Sequence, residues 1–243
     1  MRTLVRVVRP CYQLAMISPA IPRVALVRGG PWPAAPVLAR ALVDAGFAVA
    51  LETGPGPAGD DTPALRLPQG LPGGQAVAET IRVLGPPGLL VNACAVSEGR
   101  SDESAPAPGW GARPDPALAE AVAATEAVVA ALPPAAEGVV LNLLPAEGPA
   151  RGLGALPAIL AHAGLWAFTQ TAALALAPRL RVNALGVTPP PVPRCLPEQF
   201  AAPAAAPLGT PPATPEDFAR TVLAILSLPS MTGQLILLSG AVR

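Results

Sequence analysis

AGLWAFTQTAALALAPRLRVNALGVTP, residues Ala163 to Pro189, is the stretch that decides the fold of this chain. Its first half is alanine-rich, free of charge and unbroken by proline until Pro178, which predicts a long helix buried on most of its sides. A few residues on, Arg181 to Ala184 reads as a short strand. A helix that runs straight into a strand is half of a βαβ unit, so the same alternation is expected on either side.

It is found in both directions. Toward the N-terminus lie a strand Gly138 to Leu143, a helix Pro116 to Leu132, a strand Gly88 to Asn92, a helix Gln75 to Leu84 and a weak strand Ala64 to Leu67. Before them come a strand Phe47 to Leu51, a helix Ala34 to Ala45 and a first strand Arg23 to Val27. Toward the C-terminus a helix Pro215 to Leu226 and a strand Gln234 to Leu238 complete the series, and the helix of the opening stretch begins at Leu156. This order predicts a mostly parallel sheet covered on both faces. The proline-rich segments Pro106 to Pro116 and Pro189 to Pro215 fall between elements. A single domain is expected over residues 23–243, preceded by an extension over residues 1–22 whose prolines and arginines predict disorder, with Met16 as an alternative start to Met1.

Composition closes several routes to function. All 16 basic residues are arginine, the only tyrosine is Tyr12 and the only histidine is His162. Without lysine there is no Walker-A contact to a nucleoside triphosphate and no Schiff base, and a single histidine with scattered cysteines predicts no metal site. Sixteen acids balance the sixteen arginines, so nothing draws the chain to nucleic acid or an acidic membrane. Cys11, Cys94 and Cys195 fit neither a disulfide framework nor a zinc spacing, which predicts a reducing cytoplasm. The uncharged run from Gly152 to Pro178 contains Pro157, His162 and Gln170 and reads as a buried helix rather than a membrane span.

The opening stretch, LLVNACA at Leu89 to Ala95 and MTGQLILLSGA near the C-terminus resemble the short-chain dehydrogenase/reductases, most closely their pteridine-reductase-like and dihydromonapterin-reductase-like bacterial members. The resemblance runs from Arg23 to about Ala241 and implies a single-domain, Rossmann-like, doubly wound sheet, with hydride transfer from NADP(H). It also implies a catalytic tyrosine, lysine and serine, and their positions fall on Ala158, His162 and Pro145. The asparagine of the preceding helix falls near Ala123, and the adenine-contacting aspartate on Arg66. No catalytic residue is therefore assigned.

The family's glycine-rich phosphate loop corresponds to RGGPWPAAP. Arg28 stands at the threonine, Gly29 is kept, and Pro33 and Ala35 replace the later glycines. Pro31 and Pro33 bring no N–H to a pyrophosphate, so the loop reads as a helix start without a ligand, or alternatively as one in which the Arg28 guanidinium replaces the amides. The candidate cofactor residues are Arg28, Gly29, Gly30, Trp32 and Asn92. Glu52, at the end of the second strand, reads either as a ribose acceptor or as a solvated loop acid.

His162 reads as a satisfied structural histidine, with an acid–base role as the alternative. Glu98, Asp102 and Glu103 read as a solvated loop or a contact for a pterin amidine, Cys94 as a buried inert thiol or a nucleophile, and the segment after Asn183 and Gly186 as a proline-stiffened loop. In the family the helix corresponding to 156–177 makes the main subunit interface. Small residues at Ala158, Ala161, Ala163, Gly164, Ala167 and Thr171 would let another helix approach. The expectation is a pseudoenzyme that forms a homodimer or tetramer, or a hetero-oligomer with an active relative, through helix 156–177. The alternatives are an oxidoreductase with relocated acid chemistry and a pterin-binding module.

Overall fold

The computed structural model describes residues 17–29, 34–52, 61–93, 116–145, 156–187 and 213–238, with the side chains of 145 and 156–159 excepted. The strands are β1 Val24–Arg28, β2 Ala48–Glu52, β3 Ala64–Leu67, β4 Leu89–Asn92, β5 Gly138–Pro145, β6 Leu180–Val187 and β7 Leu235–Leu238. Between them lie α1 Ala35–Asp44, α2 Gly73–Leu84, α3 Ala117–Ala131, α4 Leu156–Leu176 and α5 Pro215–Leu226.

All seven strands form one parallel sheet in the order β3-β2-β1-β4-β5-β6-β7. Side chains alternate across each strand. Ala25, Val27, Leu89, Val91, Leu141 and Leu143 meet α1 and α5 on one face. Leu26, Leu90, Val140 and Val182 meet α2, α3 and α4 on the other. Covering both faces explains why β1 and β4 are apolar at successive rather than alternate positions up to their last residues, Arg28 and Asn92. The direction in which successive strands are added reverses between β1 and β4, where Arg28 pairs in register with Asn92.

The predicted elements are present, with shifted ends. β6 continues past Ala184 to Val187 because Gly186 is buried and paired on both sides, with Leu144 of β5 and Leu237 of β7. α2 starts at Gly73 rather than Gln75, pressed against α3 so closely that a Cβ on Gly73 would lie 2.5 Å from the Glu120 carbonyl oxygen and 2.8 Å from the Ala124 nitrogen. The expected extension over 1–22 is shorter on its structured side. Ile17 and Ile21 are buried in the core, and the Glu137 N–H donates to the Ala20 carbonyl, so the packed body is already formed at residue 17.

At the other end of the sheet a buried arginine fixes α5. Arg181 Nη1 donates to the carbonyls of Ile225, Leu228 and Met231, and Nη2 to that of Leu226, satisfying two of the carbonyls that α5 leaves open at its C-terminus together with two in the segment that follows. Thr214 and Asp217 close the N-terminus of α5 with a reciprocal capping box.

Candidate functional site

In a sheet of this topology, ligands lie beyond the carboxyl ends of the strands at the point where direction reverses. Arg28 ends β1 and Glu52 ends β2, and both side chains turn to the α2–α3 face. Arg28 Nε donates to Glu52 Oε2 at 2.8 Å. Arg28 Nη2 donates to the Leu71 carbonyl at 2.7 Å, and Nη1 to the Glu120 carbonyl at 3.3 Å. The Glu120 carboxylate lies 3.6 Å from Nη2 and accepts from the Gly73 N–H at 2.5 Å. The second Glu52 oxygen accepts from the Gly70 N–H at 3.0 Å. One arginine thus ties together the ends of β1 and β2, the β3–α2 turn and the first turn of α3.

Arg28 is 1% exposed and Glu52 is 3% exposed. Burial raises the pKa of the Glu52 carboxyl above the usual carboxylate range, while the Arg28 charge and the amides of Gly70 and Leu71 pull the other way. The solvated reading of Glu52 does not describe this arrangement, since the side chain is buried and paired with Arg28. Nor does Arg28 extend outward as a substitute for phosphate-binding amides, because its donors face protein acceptors. Glu120, which has no role in the sequence reading, completes the cluster; its signal was that it is the acid in the first turn of α3.

Beside this cluster, buried amides link the next elements. Asn92 Nδ2 donates to Asn142 Oδ1 at 3.0 Å, Asn142 Nδ2 to Thr169 Oγ1 at 2.9 Å, and Thr169 Oγ1 to the Leu165 carbonyl at 2.8 Å. Asn92 Oδ1 is buried and has no hydrogen-bond partner among the described residues. Asn92 therefore serves as the end of a chain joining β4, β5 and α4. Asn183 is also engaged within the fold, donating to the Met231 carbonyl and accepting from the Gln234 N–H.

His162 is half-buried on α4. It departs from the expected satisfied histidine in that its Nδ1 is buried without a hydrogen-bond partner. Burial holds its pKa below the ordinary histidine value, which favours the neutral ring. Gly29 follows β1 with φ of +107°, a conformation that suits glycine. Ala123 and Arg66 are half-buried. Gly30, Trp32, Cys94, Glu98, Asp102 and Glu103 lie outside the described residues, as do the side chains of Pro145 and Ala158. No group of three or more potential metal ligands occurs among the described residues.

The small residues of α4 divide between two directions. Ala161 is buried, and Gly164 faces α3, where a Cβ would lie 2.6 Å from Leu118 Cδ2. Ala163, Ala167 and Thr171 are exposed, in line with Leu160 at 62% and Leu174 at 86%. On the edge strand β7, Leu235 and Leu237 are exposed as well, the latter at 56%. No described helix is long and apolar enough to cross a membrane.

No family profile matches the chain, and no curated protein matches it. Solved structures do. The FolM alternative dihydrofolate reductase 1 of Brucella canis, complexed with NADP, superposes with a TM-score of 0.69 at 25% identity, over 92% of this chain and 96% of its own. The enzyme of the same name from Brucella suis, also with NADP, gives 0.67 at 27% identity, over 90% and 94%. The aldohexose dehydrogenase of Thermoplasma acidophilum gives 0.68 at 18% identity, over 93% and 95%.

Strand order, the crossover between β1 and β4 and these superpositions define a doubly wound, Rossmann-like α/β fold. Within that fold, the chain is similar to short-chain dehydrogenase/reductases of the pteridine-reductase type.

Proposed function

We propose that this chain is a non-catalytic member of the family that acts by association, as a homo-oligomer or as a partner of an active relative. The observation that carries the reading is the outer face of α4. Leu160, Ala163, Ala167, Thr171 and Leu174 form an exposed stripe on a helix with no charged residue, and β7 adds Leu235 and Leu237 at the sheet edge. Exposed leucine on an uncharged helix is the composition of a surface that another protein covers.

The chemistry supports the same reading. With no lysine in the chain and its only tyrosine at position 12, the family's proton donor and activator have no counterpart. His162, in the lysine's place, has no ion pair among the described residues, and the buried position that lowers its pKa disfavours the cation that would replace a lysine charge. A second reading draws on the same side chain. Its Nδ1 is buried without a hydrogen-bond partner among the described residues, and a ring nitrogen left unpaired at the lysine's place favours an NADP(H)-dependent reductase of dihydropterins with relocated acid chemistry.

Light scattering on the purified full chain and on Leu174→Arg tests the association. The expected result is a dimer or larger for the wild type, alone or with an active family member from the same organism. The variant is expected to be monomeric with an unchanged melting temperature, because Leu174 is 86% exposed in the isolated chain. A wild-type chain that stays monomeric at about 100 µM, alone and with such a relative, removes the reading.

A further inference from the structure

We infer that Arg28 is a built-in occupant of the ribose half of the nucleotide crevice, so that this chain is closed to adenine dinucleotides in its resting state. This deepens the non-catalytic reading above and rests on it. In doubly wound sheets an acid near the end of β2 accepts the ribose hydroxyls of a bound dinucleotide. Here that acid is Glu52. Its Oε2 accepts from Arg28 Nε at 2.8 Å and its Oε1 from the Gly70 N–H at 3.0 Å, the two donations a ribose diol would otherwise make. With Glu52 3% exposed and Arg28 1% exposed, a ligand reaches the carboxylate only by displacing the guanidinium.

Displacement is opposed from every side. Arg28 is also held by the Leu71 and Glu120 carbonyls and lies 3.6 Å from the Glu120 carboxylate. A neutral ribose offers no cation to take its place beside two acids. The guanidinium therefore does in the free protein what a nucleotide does in a nucleotide-binding relative: it joins the ends of β1 and β2 to the β3–α2 turn. The residues at this end of the crevice do not fit an adenosine ribose as they stand.

The test is a titration of the full chain with NADPH, NADH and ADP-ribose to about 1 mM, followed by calorimetry and thermal shift. The expected result for the wild type is no heat of binding and no shift. Arg28→Ala leaves room and frees Glu52, so ADP-ribose is expected to raise its melting temperature by ~3–5 °C, a gain lost again in Arg28→Ala/Glu52→Ala. Wild-type binding tighter than about 100 µM overturns the inference, as does a folded Arg28→Ala that gains no shift. Should Arg28→Ala fail to fold, the wild-type titration decides alone. NADPH binding without turnover of a dihydropterin ends this inference and leaves the non-catalytic reading standing, whereas turnover ends both.

Discussion

Replacing Arg28 by methionine removes a charge from the interior while keeping most of the side-chain volume. The partners left behind are a Glu52 carboxylate 3% exposed and the Leu71 carbonyl, which had accepted at 2.7 Å. Removing one member of a buried ion pair costs about 3–5 kcal/mol, and burial on both sides means that solvent does little to reduce it. For a domain of this size, ~1 kcal/mol moves the melting temperature by about 2–4 °C, so Arg28→Met should melt roughly 6–20 °C lower at neutral pH. The loss should depend on pH in a defined direction. Burial raises the folded-state pKa of Glu52 above its ordinary 4.5, and without Arg28 the rise is larger. The folded variant then binds more protons than the unfolded chain, so its stability declines as pH rises from about 4.5 through the raised value. Thermal melts from pH 5 to 8 should show the gap to wild type widening with pH. Arg28→Met/Glu52→Leu, which removes both charges, should recover most of the loss. A single variant within about 1 kcal/mol of wild type at pH 8, or a double variant no more stable than the single, refutes the description of this cluster as a buried ion pair.

Gly73→Ala forces a Cβ to 2.5 Å from one backbone atom of α3 and 2.8 Å from another, so urea melts should show a loss of about 1–3 kcal/mol. Gly164→Ala meets only the end of the Leu118 side chain and should lose less, because that side chain can turn aside and alanine favours the helix. The depressed pKa of His162 means that the unfolded chain takes up a proton at higher pH than the folded one, so stability falls as pH drops below about 6.5, a slope that His162→Leu should flatten. Thr214→Ala should cost about 1 kcal/mol through the cap of α5. The bonds from Thr214 hold the Asp217 pKa below 3.8, so the stabilisation from Asp217, read as the melting-temperature difference to Asp217→Asn, should be full above that value and fade as pH falls through the lowered one.

The order of elements was legible because most strands are largely apolar runs close to a glycine or proline, and because α4 into β6 leaves little room for another reading. The end of β6 was not, since Gly186 has no side chain with which to declare its burial. Ile17 and Ile21 were hidden among prolines and arginines that resemble a tail. The Arg28 cluster was the largest omission. An arginine that ends a strand beside two glycines reads as a ligand for an anion, and its burial follows only from the register that puts the ends of β1 and β2 side by side. Two strands ending in opposite charges on the same face were the available signal. The small residues of α4 were read as an approach surface for another subunit, and pattern alone did not separate Gly164, turned to Leu118 of the same chain, from Ala163 and Ala167, turned outward.

The account stands most directly on whether this chain transfers hydride at all. The deciding measurement is NADPH oxidation by the purified full chain with a dihydropterin or dihydrofolate in excess, followed by absorbance. With no lysine, no tyrosine after position 12 and Glu52 closed over by Arg28, the rate should not exceed that of cofactor and substrate without protein. Turnover at about 1 per second or faster, the low end of ordinary enzymes, would contradict it.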